Sequence, residues 1–159
     1  MTDVTDIVED IRAVLEANLA DPWETATGDT RTSYVFTNDI RLSGDFPKVL
    51  IKPQMGSIEK LSWGGKTSYK QKVRGTVLII YYNRRAFTYE TGGITYSDGG
   101  SNTSQSLNQY MLKQICDTLK TNAGSIAASQ IRFGTISETS VDGDVFWGFV
   151  PISFQWVEG

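Results

Sequence analysis

Residues 74–82, RGTVLIIYY, form the most strand-like stretch of the chain and decide its fold. They lie in a predicted strand from Tyr69 to Tyr82, in which alternate side chains point to opposite faces of a sheet. The first half of this strand alternates basic residues with small or apolar ones, whereas the second half is apolar on both faces. This pattern predicts a central strand that is covered on both sides.

Further strands are predicted on either side of this segment. Residues 33–37 form one short strand, and Val49–Ile51 form another, which is entered through Pro47 and left at Pro53. The chain then closes with a long predicted hairpin. Its arms are residues 131–141 and 144–157, joined at Asp142-Gly143, a strong two-residue turn signal.

Two amphipathic helices complete the predicted fold. Residues 5–19 carry apolar side chains at spacings of three and four, and Asp21-Pro22 ends that helix. Residues 104–121 carry a second apolar stripe, in which Cys116 is expected to be a small core residue. We therefore predict an α+β fold, with a mostly antiparallel sheet of about five strands and two helices packed on it.

The remaining segments are predicted to be loops of a single domain that spans residues 1–159. Residues 23–31 are polar and rich in threonine, and two longer loops rich in glycine cover residues 54–68 and 86–103. No apolar run is long enough for a transmembrane helix, so no membrane partner is expected.

The absence of histidine narrows the possible functions. It excludes Ser-His-Asp and Cys-His catalysis, and with one cysteine in the chain a zinc site is improbable. Glu90, Asp98 and Glu138 lie near predicted loops or strand ends but form no recognisable catalytic pair. We expect a binding or structural protein that is not an enzyme and that has no cofactor and no metal site.

Two short motifs invite a different interpretation. Gly64-Gly65-Lys66-Thr67 resembles part of a phosphate-binding loop, but Lys60 stands where that motif requires glycine. The segment from Asp142 to Asp144 resembles a calcium loop, but it lacks the further oxygen ligands and the terminal glutamate. A glycine-rich loop tip and a hairpin turn explain these two segments.

Charge is distributed unevenly along the chain, whose overall net charge is −3. Residues 1–30 hold eight acids and one base, whereas residues 48–85 hold nine bases and one acid. Such segregation suggests two surfaces that pair between copies of the chain, although two solvated faces would show the same pattern. The candidate interface residues are Lys60, Lys66, Lys70, Lys72, Arg74, Arg84 and Arg85 on the basic side and Asp6, Glu9 and Asp10 on the acidic side.

The basic segment also raises nucleic-acid binding as an alternative. Four bases occupy even-numbered positions of the predicted strand and the loop before it, namely Lys66, Lys70, Lys72 and Arg74, and tyrosines lie nearby. Basic and aromatic side chains in this combination can bind single-stranded nucleic acid. The isoelectric point of about 4.9 is opposite to the usual signature of a nucleic-acid-binding domain.

The order of elements resembles the tail terminator and tail-completion family of long-tailed phages and related archaeal viruses. The resemblance covers most of the chain and rests on the following segments: Ile7–Leu19, Phe46–Ile51 (FPKVLI), Arg74–Tyr82, Leu107–Leu119 and the hairpin around Asp142-Gly143. It is a match of pattern and order, and the family has no short diagnostic motif, so no site residue is transferred from it.

The resemblance implies a virion structural protein that forms a ring, most often hexameric, at the junction between tail and head. Such a ring caps the tail tube and joins it to the neck, so the implied partners are further copies of the chain, the tail tube protein and a neck or connector protein. DNA would pass through the lumen without sequence-specific binding. The implied location is the virion, with the host cytoplasm as the site of assembly. The alternatives are a head–tail connector or stopper protein and a small nucleic-acid-associated packaging accessory protein.

Overall fold

The computed structural model describes residues 3–37, 46–63, 71–85, 87–99 and 104–158, with the side chains of all but 55–63, 71 and 158. Three α-helices are described, namely α1 (Val4–Asn18), α2 (Pro22–Thr27) and α3 (Leu107–Thr121), and a short 3-10 helix, Ala123–Ser125, follows α3. The strands are β1 (Val35–Phe36), β2 (Lys48–Trp63), β3 (Gln71–Arg84), β4 (Thr88–Thr91), β5 (Ile94–Ser97), β6 (Gln130–Phe133), β7 (Ser140–Asp142) and β8 (Val145–Glu158). The prediction of an α+β fold is confirmed.

The main sheet has the order β1-β2-β3-β8-β6, and β7 pairs with the first residues of β8. Only β1 and β2 run parallel; the other described pairs in this sheet are antiparallel, as predicted. With six strands the sheet is slightly larger than predicted, because the first arm of the expected hairpin is divided into β6 and β7.

Strand β3 is the central strand that its sequence predicts. It pairs with β2 on one side and with β8 along its whole length on the other. Its odd-numbered side chains, including Val77, Ile79 and Tyr81, are buried, whereas its even-numbered side chains are half-buried or exposed. The central position of β3 is as predicted, but the expected cover on both sides is not: the two faces are covered to different extents.

Helices α1 and α3 cover the face that carries these buried side chains. In α1, Ile7, Ile11 and Leu15 are fully buried, and Asp3 and Asp6 form a reciprocal capping box at its first turn. Helix α3 begins after Ser106, whose hydroxyl accepts from the Gln109 backbone N–H at 3.3 Å.

Helix α3 approaches β8 closely on the face of the sheet that carries the buried side chains. A Cβ on Gly148 would lie 3.1 Å from the Leu112 Cδ1 atom, so glycine leaves room for the helix. The two predicted helices are thus confirmed, with small shifts at their ends. Cys116 is buried in α3, and burial raises the pKa of its thiol, in keeping with a core role.

Three segments that were predicted to be loops contain regular structure. Within residues 23–31, α2 continues to Thr27 because Asp21 caps it and Pro22 occupies its first position. Residues 54–63 continue β2, with register shifts that absorb extra residues around Gly56 as bulges. The remainder of the predicted loop, residues 64–68, lies outside the described residues.

The second predicted long loop, residues 86–103, contains the small hairpin of β4 and β5. Gly92 and Gly93 form its turn with φ angles of 59° and 77°. The glycines that indicated a loop therefore supply the left-handed conformations of a two-residue turn. Residues 86 and 100–103 lie outside the described residues.

The predicted hairpin of residues 131–157 is correct in its second arm and wrong in its first. Strand β6 ends at Phe133, which pairs with Ile152. The position after Phe133 faces Pro151, which has no N–H to continue the ladder. Single backbone hydrogen bonds from Gly134 to the Pro151 carbonyl and from Ser137 to the Phe149 carbonyl follow, and the ladder resumes at Ser140. The turn is also one residue later than predicted, because Asp142 pairs with Val145 and leaves Gly143-Asp144 as the loop.

Candidate partner interface

The second face of the main sheet carries no described helix and is called the helix-free face below. It is formed by even-numbered residues of β2 and β3 and odd-numbered residues of β8. Its half-exposed apolar side chains are Leu78, Ile80, Tyr82, Trp147, Phe149 and Pro151. One apolar row crosses four strands, because the register aligns Phe36, Leu50, Ile80 and Phe149. An apolar face of this kind is typical of an interaction surface.

Basic residues frame this apolar centre. Lys72 and Arg74 are exposed at one end of the face, and Arg132 on β6 lies near them because it pairs with Ser153, whereas the exposed Lys52 lies beside Leu78 in the apolar centre. Arg74 and Arg132 line one small cavity of about 10 Å³ beside Gln155. No ion pair involving Arg74 or Arg132 occurs among the side chains that the structure describes.

A different arrangement of bases marks the opposite end of the face. The Lys48 Nζ atom lies 4.4 Å from the centre of the Phe46 ring, and the Arg84 Cζ atom lies 4.6 Å from the same centre. Both distances are within the range of a cation–π contact. Arg84 also lies 4.0 Å from an Asp144 carboxylate oxygen in an exposed ion pair.

The structure brings only some of the predicted basic residues together. Lys72, Arg74 and Arg84 share the helix-free face, as their spacing predicts. Arg85 does not, because its guanidinium lies 5.1 Å from the centre of the Phe146 ring, at the end of the strand. The Lys60 side chain, and Lys66 and Lys70 entirely, lie outside what the structure describes.

The three predicted acidic residues lie on α1, on the other side of the sheet. Asp6 belongs to the capping box, Glu9 pairs with Arg12 at 2.9 Å, and Asp10 accepts from the Ala127 backbone N–H at 2.8 Å. Asp6 and Glu9 stay exposed despite these contacts. Of the ion pairs that are described, none joins this acidic surface to the helix-free face. The exposed Asp6 and Glu9 and the bases Lys72, Arg74 and Arg132 therefore lie on opposite sides of the sheet.

Sequence analysis missed Arg132, Trp147 and Phe149 as members of this surface. Arg132 lies far from the basic segment in the chain, and only pairing of β6 with β8 brings it beside Arg74. For Trp147 and Phe149 a signal was present. The residues of β8 alternate between buried even positions and half-exposed odd ones, and this alternation assigns them to the outer face.

A buried carboxylate lies on the helix-covered side and has a structural role. Asp98 is 4% exposed and accepts four hydrogen bonds of 2.7 to 3.1 Å. The donors are the Asn83 amide, the Ser106 hydroxyl, and the backbone and side-chain N–H groups of Asn108. This network ties the start of α3 to β3, and a carboxylate with so many donors needs no cation.

A second buried polar group joins the segment before β1 to the helices. Arg31 donates from Nε to Asp21 Oδ2 at 2.6 Å and from a terminal nitrogen to Asp21 Oδ1 at 2.7 Å. The same guanidinium also donates to the Pro47 carbonyl and lies 5.3 Å from the centre of the Trp23 ring. The two side chains are 9% and 2% exposed, so this is a desolvated, bidentate ion pair.

Two buried tyrosines have raised pKa values. The Tyr34 hydroxyl donates to the Leu15 and Leu19 carbonyl oxygens, and burial, reinforced by nearby carboxylates, raises its pKa. Burial also raises the pKa of Tyr81, whose hydroxyl has no hydrogen-bond partner among the described residues. Neither hydroxyl is poised to titrate near neutral pH.

The described residues offer no group of three or more cysteines and carboxylates that could hold a metal ion. A groove of about 270 Å³ lies between the end of α3 and β6, with Leu119, Lys120 and Phe133 among its lining residues. Of the described helices, none is long and apolar enough to cross a membrane.

Comparison with known proteins adds no relatives. No protein-family model matches this chain, and a search of curated proteins finds no match either.

Proposed function

We propose that this chain is a virion structural protein that forms a ring at the junction of tail and head in a tailed virus. In this role it caps the tail tube and joins it to the neck through a neck or connector protein. The proposal starts from the resemblance in element order to the tail terminator and tail-completion family. A connector or stopper protein of the neck is a close variant that uses the same kind of ring.

One structural observation carries the proposal. The exposed acids Asp6 and Glu9 of α1 and the exposed bases Lys72, Arg74 and Arg132 of the helix-free face lie on opposite sides of a layered molecule. A head-to-tail ring requires two different and complementary surfaces on every subunit.

The experiment that tests this proposal is localisation in virus particles. A tag placed after Gly159 is labelled with gold, and particles isolated from producing cells are imaged by negative-stain microscopy. Label confined to the head–tail joint is expected. Particles that carry no label, although the tagged protein is present in the cells, would contradict the proposal.

Nucleic-acid binding is the second candidate, and the same face favours it. Trp147 and Phe149 are half-exposed on the face that carries the bases of β3, and Trp147 pairs with Tyr82, two residues before Arg84. Proteins that bind single-stranded nucleic acid stack its bases on aromatic side chains of this kind. It is tested by titrating a fluorescent single-stranded oligonucleotide at low and high salt. Binding that weakens steeply with salt would favour this function, and no binding at low salt would exclude it.

A further inference from the structure

We infer that the helix-free face of one copy of the chain packs against α1 of the next copy, with Arg74 and Arg132 receiving the carboxylates of Asp6 and Glu9. The inference deepens the proposed function and rests on it, since it names the contact from which the ring would be built.

The first step is that the helix-free face has the composition of an interface. Its centre holds six half-exposed apolar side chains, and three of them are aromatic. Aromatic residues with arginine at the border are typical of buried contact surfaces between proteins. Single exposed apolar residues need no partner, but a contiguous patch on adjacent strands does.

The second step is that the basic end of the face disfavours packing of the face on itself. Lys72, Arg74 and Arg132 are exposed at that end. Two such faces packed with these ends together would place the three bases of one copy against those of the other. Like charges across an interface cost several kcal/mol, so an acidic partner surface is favoured at this end.

The third step is that the outer surface of α1 is acidic and shaped to approach closely. Asp3, Asp6 and Glu9 are exposed along its first half, and Arg12 is held by Glu9. Along its second half the exposed side chains include those of Ala13 and Ala17, which allow a close approach. An acidic end followed by a small apolar end matches a basic end followed by an apolar centre.

The spacing of these features also agrees. Glu9 and Ala17 are separated by about 12 Å along a helix that rises 1.5 Å per residue. Arg74 and Leu78 are separated by about 14 Å along a strand that rises about 3.4 Å per residue. With α1 lying along the strands, Glu9 meets the arginines when Ala17 lies over the apolar rows.

The geometry of the contact sets the kind of assembly. Because α1 and the helix-free face lie on opposite sides of the sheet, each copy offers one surface to each neighbour. Contacts of this kind are heterologous, and they generate closed rings or open filaments and not twofold dimers.

Charge reversal and its rescue test the contact. Arg74→Glu and Glu9→Arg each place like charges together, so each is expected to weaken self-association about tenfold or more. The double variant Arg74→Glu/Glu9→Arg restores opposite charges in every contact and should recover most of the association. Lys113→Glu makes the same change of charge on an exposed position of α3 and is the matched control.

The measurement is sedimentation velocity over a range of protein and salt concentrations, with circular dichroism to confirm that each variant is folded. Loss in both single variants with recovery in the double variant supports the inference. A monomer at every concentration, or single variants that assemble like the control, would overturn it. Loss in the single variants without recovery in the double variant would also overturn it.

The outcomes separate this contact from the proposed function. If both charge-reversed variants still form rings, the proposed ring-forming function stands and the inferred contact is wrong. Loss of oligonucleotide binding in Arg74→Glu, with assembly unchanged, would assign the face to nucleic acid and overturn the inference. Failure of the proposed function is decided separately, by the absence of label from virus particles.

Discussion

Replacing Arg31 by methionine should destabilise the fold strongly, because the change leaves a carboxylate buried without its partner. Asp21 is only 2% exposed, and two of its hydrogen bonds come from the Arg31 guanidinium. Methionine keeps much of the length of the arginine side chain but donates no hydrogen bond. Removing one partner of a buried ion pair costs about 3 to 5 kcal/mol. For a domain of this size, that loss lowers the melting temperature by about 6 to 20 °C.

A surface pair provides the matched control. Arg12 pairs with Glu9 at nearly the same distance, 2.9 Å, but these two side chains are 38% and 51% exposed. Arg12→Met should therefore cost only about 0.5 kcal/mol. The chemical change is the same in both variants, whereas the burial of the pair and the number of hydrogen bonds that the arginine donates differ.

A double-mutant cycle isolates the pair itself. Asp21→Asn keeps an acceptor for the Trp23 backbone N–H, which Asp21 caps at 3.0 Å, and removes the charge. Combined with Arg31→Met it should recover part of the loss, with a coupling energy of about 1 to 3 kcal/mol.

The assay is urea unfolding, followed by tryptophan fluorescence and circular dichroism and extrapolated linearly to zero denaturant. Trp23 lies against the Arg31 guanidinium and reports on the same region. If Arg31→Met costs no more than Arg12→Met, or if the coupling energy is zero within error, then the claim of a desolvated ion pair is wrong.

Three further predictions follow from local features. Because burial raises the pKa values of Tyr34 and Tyr81 above the ordinary value of 10.0, the unfolded chain releases their protons first, and stability should fall as pH rises above about 10. Melting temperatures from pH 8 to 12 measure this fall, and a flat profile would contradict it. Asp98→Ala removes the acceptor of four hydrogen bonds and should cost about 2 to 5 kcal/mol in urea unfolding, whereas Asp98→Asn keeps one acceptor oxygen and should cost less. Gly143 has a φ angle of 63°, so Gly143→Ala should cost about 1 to 2 kcal/mol of stability in the same assay. Gly124→Ala is the control and should change stability by less than about 0.5 kcal/mol, because its new methyl group meets no atom within 4 Å. Equal costs for the two variants would show that the left-handed conformation of Gly143 does not require glycine.

The parts of the fold that could be predicted from the sequence are those with an unbroken periodicity. Helix α1 has apolar residues at spacings of three and four, and burial of one face produces such a period directly, so the sequence predicts both the helix and its inner face. Strand β3 was predicted as a central strand, but its second half is apolar on both faces, so the sequence does not show which face the helices cover.

The missed elements are those whose local signals have two meanings. Gly92-Gly93 is as consistent with a loop as with the turn between β4 and β5, and only the paired strands on either side decide. The extension of β2 past Gly56 is hidden because bulges interrupt its alternation. Long-range pairing settles both cases, and no short window of sequence contains that information.

The candidate interface also has one part that the sequence predicts and one part that depends on long-range pairing. The shared face of Lys72 and Arg74 follows from their spacing on one strand, and the structure places both as predicted. Arg132 joins that face through the pairing of β6 with β8, which spacing along the chain does not reveal. The segregation of charge between two sides also required knowing that α1 and the bases of β3 lie in different layers.

The position of β8 in the sheet has a consequence for how the protein is made. Strand β8 lies between β3 and β6, and its partners on β3 are about 60 to 90 positions earlier in the chain. During synthesis β2 and β3 can pair as soon as both have emerged, but the other edge of β3 stays open until residue 158 is available. An open apolar edge invites pairing with other nascent chains. Charged residues on a strand disfavour such pairing, so the exposed Lys72 and Arg74 are expected to protect this edge before the sheet closes.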